Sequence, residues 1–198
     1  MTEESEIDTY LTISKNKFGI YLLDKKKMNT LYKEELNFDD NNSNSELKNL
    51  SNFLDENIFK VEKLLGKFVN NVSIVIDADK IININMSLKK KNYDQVINLK
   101  TLESLLFEAK DLFKENYKDR KIMHMIIKKY IMNGETYLNF ISDLKSDSIC
   151  VEVNFICIPI ELSSEINLIL DKYHIQTNRF LDANYIYNLF LDKEVETE

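Results

Sequence analysis

The chain has 198 residues, room for one substantial domain or two small ones, and its 44% hydrophobic and 30% charged residues describe an ordinary globular protein. A net charge of −7 argues against nucleic acid as the main ligand and weakens any case for an anionic membrane, because both require a basic surface. No stretch reaches the roughly 18 uninterrupted apolar residues of a spanning helix, so no direct membrane insertion is expected, and the acidic N-terminus does not read as a signal peptide.

Residues 1–8 and the acidic tail 192–198 have too little apolar surface to fold alone and are expected to be disordered. Residues 9–14 and 18–24 read as two short strands, and Met28–Leu36 as a third after a turn at 24–29. The polar loop Asp39–Ser45 precedes a helix in which Leu47, Leu50, Phe53, Leu54, Ile58, Val61, Leu64 and Leu65 recur every three or four residues. Ser43 with Glu46 offers it a capping box, and Gly66 a stop. Val72–Asp77 is short and β-branched, a buried strand, while Ile82, Ile84, Met86 and Leu88 alternate with polar residues as a half-exposed one. A second helix spans 101–116, strands follow at 121–132 and 149–157, and a third helix starts near Ser163. A short strand, Ile175–Phe180, leads to a last helix that Asp182 can cap.

This order, three strands with short turns, a helix and a fourth strand, then strand–helix–strand–strand, predicts an α+β (α/β mixed) protein of two subdomains. The expected division is a partial actin-like, or ribonuclease H-like, subdomain from 9–80 and 176–191, and an inserted subdomain from 81–175.

Ile122–Tyr130 resembles a strand of the bacterial cell-division protein FtsA that reads apolar-apolar-His-apolar-Ile-Pro-x-x-Tyr. His124, Ile126 and Tyr130 match it, and Ile127 stands where that family has proline. Val151–Cys157 is similar to the family's next strand, Ile166–Ile175 to its helix and following turn, and Phe180–Phe190 to the return strand and helix. The resemblance covers roughly residues 9–190 as pattern and order, without a short diagnostic signature. It implies that the insertion is an SHS2-like module serving protein contacts, and that the chain is an adaptor of the cell-division machinery. It also implies other division proteins as partners, possible self-association, and a cytoplasmic site of action with recruitment to the membrane at the division site. The type IV pilus adaptor PilM shares the scaffold and is the alternative, with an actin-superfamily ATP-binding protein as a third.

The first phosphate turn of an actin-type ATPase needs a carboxylate to organise the metal and a glycine to let backbone amides approach phosphate. Here the corresponding residues are Thr12, Ile13, Ser14 and Lys15. The family's second actin-like half, with its other phosphate loop, is not within these residues. No cofactor, metal or catalytic residue is therefore expected, and the chain is read as not an enzyme. Three glycines leave no phosphate-cradling motif, and Lys15 and Lys17 are read as solvated charges. His124 has lysines rather than an acid as sequence neighbours and reads as a structural histidine, as does His174 at a helix end. Cys150 and Cys157, seven apart on one strand, point to opposite faces and read as reduced, buried thiols.

Of two lysine runs, Lys25–Lys27 reads as a solvated turn, whereas Lys89–Lys91 closes a strand that can be a free edge. Ile82, Ile84, Met86, Lys89, Lys90, Lys91 and Tyr93 are accordingly expected to form a partner-contact surface.

Overall fold

Alternating burial along Ile7–Ser14 (β1) and Lys17–Asp24 (β2) makes the first hairpin of a computed structural model that describes residues 7–27, 29–38 and 46–188. The chain divides into two units, one from 1–80 with 161–198 and the other from 81–160.

In the first unit, β1 pairs antiparallel with β2, and β2 antiparallel with β3 (Asn29–Asn37). Asp24 Oδ1 accepts from the backbone N–H of Lys26 and Lys27, which folds the β2–β3 turn on itself. β1 also pairs parallel with β4 (Asn71–Asp77), and β4 parallel with β9 (Gln176–Asp182), giving the order β3-β2-β1-β4-β9. The predicted strands are all present within a residue or two.

Helix α1 (Glu46–Leu65) carries most of the expected stripe, with Leu50, Phe53, Leu54 and Val61 buried but Leu64 exposed, and Phe53 lies 6.1 Å from the ring of Phe18 on β2. Leu11, Ile20, Leu22, Ile74 and Ile76 complete that apolar layer, each worth about 1.5–3 kcal/mol on burial. Gly66 ends α1 at φ +66, a left-handed position that suits glycine. Ser43, expected to form a capping box with Glu46, and the rest of the loop 39–45 lie outside the described residues.

Helix α3 (Ile160–Asp171) begins directly after a strand, some three residues before the expected start. It belongs to the first unit rather than the second, so the boundary falls after residue 160 and not after 175. Two polar ties explain this: Tyr173 Oη donates to Ser51 O (2.9 Å) and to Asp55 Oδ1 (2.7 Å) on α1, and Thr177 Oγ1 on β9 donates to Asn167 Oδ1 (2.7 Å). Asp182 accepts from the Tyr185 N–H and caps α4 (183–188) as expected; Phe190, expected on that helix, is outside the described residues.

The second unit is a four-stranded antiparallel sheet in the order β5-β8-β6-β7, from β5 (Ile82–Val96), β6 (Arg120–Met132), β7 (Glu135–Tyr137) and β8 (Lys145–Pro159). Helix α2 (Leu99–Asn116) covers one face. Leu102, Leu105, Ala109 and Phe113 recur at helical spacing and share a core with Ile149, Val151, Val153, Phe155 and Cys157, which recur at strand spacing. The rings of Phe113 and Phe155 stack at 4.7 Å. Leu112, which continues the helical spacing of Leu102, Leu105 and Ala109, is exposed.

Candidate functional site

At the tip of the β1–β2 hairpin Ser14 pairs with Lys17, leaving Lys15 and Asn16 as a two-residue turn, and Ser14 Oγ donates to Lys17 O at 3.0 Å. Neither turn residue is glycine. Thr12, expected to stand where the family has its acid, pairs with Gly19 and donates to its carbonyl at 3.4 Å. A Cβ on Gly19 would lie 2.6 Å from Thr12 Oγ1 and 2.7 Å from Tyr21 Cε2, so glycine here admits the folded-back ring of Tyr21.

That ring ends in a charged cluster. Tyr21 Oη donates to Glu35 Oε1 at 2.5 Å, Lys17 Nζ reaches the same oxygen at 3.0 Å, and Lys33 Nζ reaches Oε2 at 3.0 Å. These donors, that of Tyr21 foremost, pull the Glu35 carboxyl down to about 2. Partial burial, then the bond to Glu35, pushes the Tyr21 phenol up to about 12. Lys17, expected to be a solvated charge, is thus paired within the sheet.

A cavity of about 470 Å³ lies beside the turn, with Lys15, Asp77, Asp79, Lys80 and Glu165 among its lining residues. Lys15 forms an ion pair with Asp79. Three carboxylates against two lysines make this rim unsuited to a triphosphate. Among the described residues no group of three His, Cys, Asp or Glu side chains is placed to hold a metal ion. The turn itself, residues 12–17, carries neither a carboxylate nor a glycine.

The second candidate is β5. It is an edge of its sheet, hydrogen-bonded to β8 alone among the described strands. Ile82, Ile84 and Met86 are half-buried and pack against the core beneath α2, as does Leu88. Their side chains serve the core, and what they can offer a partner is backbone. Lys90 continues that face and reaches Glu108 of α2 at 3.9 Å. Lys89 and Lys91 alternate with it and are exposed, as is Tyr93.

His124 is half-buried on β6 opposite Ile156, beside a bulge. His174 is exposed just past α3 in a left-handed conformation, its N–H on Asp171 O. Cys157 joins the core under α2, while Cys150 is only half-buried and pairs with Lys89 and Ile131; burial raises both thiols. The Tyr21–Glu35 cluster escaped sequence reasoning, since nothing in the spacing of Lys17, Tyr21, Lys33 and Glu35 announces the register that joins them.

No family model matches the sequence, and no curated protein matches it. Among solved structures, the chain is similar to one described as a PilM-PilN type IV pilus biogenesis complex, with TM-score 0.57 and 11% identity over 90% of this chain and 48% of that one. With the β3-β2-β1-β4-β9 sheet, this decides the fold. The chain carries part of an actin-like fold. Two weaker likenesses are to the cytoplasmic domain of EpsL, an inner membrane component of the Vibrio cholerae type II secretion system, and to a Bacteroides thetaiotaomicron protein of actin-like ATPase fold and unknown function. The first has TM-score 0.42 and 8% identity over 89% of this chain and 57% of that one. The second has TM-score 0.38 and 17% identity over 91% and 53%. The chain spans about half the length of each of these three structures. Among the described residues no helix is long and apolar enough to cross a membrane.

Proposed function

We propose that this chain is a noncatalytic scaffold of a membrane-associated assembly, of the kind PilM represents in type IV pilus biogenesis, acting through protein contacts made by its inserted unit. The observation that carries the reading is the first phosphate turn: Thr12 stands at the acid's position, the tip has no glycine, and the nearby charges are paired with one another. Such a turn supplies neither a metal-organising carboxylate nor a phosphate cradle. The likeness to the pilus complex supports this assembly over the division machinery.

An FtsA-like division adaptor is the second reading. It is favoured by the match of His124, Ile126 and Tyr130; the second unit runs strand–helix–strand–strand–strand, one short strand more than the order expected of an SHS2-like module. Affinity capture of the tagged chain from its native cell separates the two. Enrichment of pilus or secretion components supports the first reading, enrichment of division components the second, and recovery of the bait alone counts against both.

A further inference from the structure

The straight part of β5 runs from Ile82 to Lys91, ten residues in unbroken register with β8. Alternate N–H and C=O groups of an edge strand point away from its only neighbour and can template another strand. The edge stops where Tyr93 (φ 51) and Asp94 (φ 56) take left-handed conformations and the register slips before Gln95. Asn92 Nδ2 holds this bulge through Gln95 O and Ser146 O. Beside it opens a cavity of about 410 Å³ whose lining includes Lys90, Lys91, Tyr93, Lys100 and Thr101, and no carboxylate. Lys90 shares its charge with Glu108, but no ion pair forms at Lys89, Lys91 or Lys100 among the described residues. On a chain of net charge −7 this is a local reversal of sign.

We infer that β5 accepts an extended acidic polypeptide segment as an added strand along Ile82–Lys91, with a carboxylate of that segment seated in the Lys91–Lys100 cavity. Backbone bonds along the edge supply attachment, and the lysines select the charge of the guest and repel a second copy of themselves. Tyr93, 72% exposed, stands at the cavity as an apolar wall that can cover the guest's end. The inference deepens the scaffold reading by naming a partner's chemistry, and rests on it only in taking the ligand to be a protein.

The test uses the full chain and a fluorescent ten-residue peptide alternating glutamate with valine. The expected result is saturable binding, with backbone amide shifts concentrated on residues 82–91. Binding should weaken about fivefold or more between roughly 50 and 300 mM salt. The same peptide with alternate amides N-methylated keeps its charge but loses its strand edge, and should bind about tenfold more weakly or worse. Lys91→Glu with Lys100→Glu should cost about fivefold or more in affinity with unchanged circular dichroism. Equal binding of the methylated peptide overturns the inference, as does equal binding by the double variant or no saturable binding at all. Tighter binding to an oligothymidylate or to phosphatidylserine vesicles also overturns it, since the patch would then read phosphate. If the peptide fails while affinity capture still recovers partners, this surface is wrong and the scaffold reading stands. If the peptide binds as expected while capture recovers the bait alone, the surface stands and the scaffold reading fails.

Discussion

Thr12 Oγ1 occupies the space that a methyl group on Gly19 would require, 2.6 Å from the position of that absent Cβ. The contact matters because Tyr21 also leans over Gly19, 2.7 Å from the same point, and so reaches Glu35. Gly19 is thus a packing glycine, and Thr12 beside it donates to its carbonyl.

Gly19→Ala should therefore expel the Tyr21 ring and destabilise the fold by about 1–3 kcal/mol, the usual range for overpacking. Urea unfolding would measure the loss. The Tyr21 phenol should also fall from about 12 toward its ordinary value near 10, which ultraviolet titration reads directly.

Glu35 gives a pH prediction with a definite sign. Its folded-state value, about 2, lies below the ordinary 4.5, so its contribution to stability is full above about 4.5 and is lost as pH falls toward 2. Tyr21 runs the other way: raised from 10 to about 12, it contributes fully below 10 and loses its contribution as pH rises to 12. Tyr21→Phe should move the Glu35 carboxyl back toward 4.5 in a carboxyl NMR titration while Lys17 and Lys33 keep it somewhat below.

In the second unit, Asn98 accepts from the Thr101 N–H at 3.1 Å and caps α2. Asn98→Ala should cost about 1 kcal/mol. Phe155→Ala removes a fully buried ring stacked on Phe113 and should cost about 3–5 kcal/mol. Hydrogen exchange at β8 amides should resolve the second change as the larger by far.

The Lys15–Asp79 pair is exposed, 53% and 79%, so Lys15→Ala should change stability by less than about 0.5 kcal/mol. A larger loss in thermal unfolding would mean that the turn carries more of the fold than its exposure allows.

Much of this fold was legible because its strands and helices announce themselves by period. The helical spacing of Leu102, Leu105 and Phe113 and the alternation of Ile82, Ile84 and Met86 each predict an element that is present. What was missed has a local reason in each case. The β6–β7 hairpin turns on Asn133-Gly134, both at positive φ, a sequence signal that was there to be read. The strand β5 runs on through Lys89–Lys91 because an exposed edge tolerates lysine, where a charge run ordinarily marks a turn. The allegiance of α3 depends on Tyr173 reaching Ser51 and Asp55 more than a hundred residues away, which no local pattern encodes. At the candidate surface the alternation was visible, but which face met the core was not. Ile82, Ile84 and Met86 face inward, Lys90 continues their face to reach Glu108, and Lys89, Lys91 and Tyr93 are exposed.

The central claim is that the β1–β2 turn has lost its grip on nucleotide, and titration calorimetry of the full chain with ATP and Mg²⁺ tests it most directly. The account predicts no saturable heat up to about 1 mM ATP. A saturable isotherm with a Kd in the micromolar range, lost on substituting residues of this turn such as Ser14 or Lys15, would contradict it.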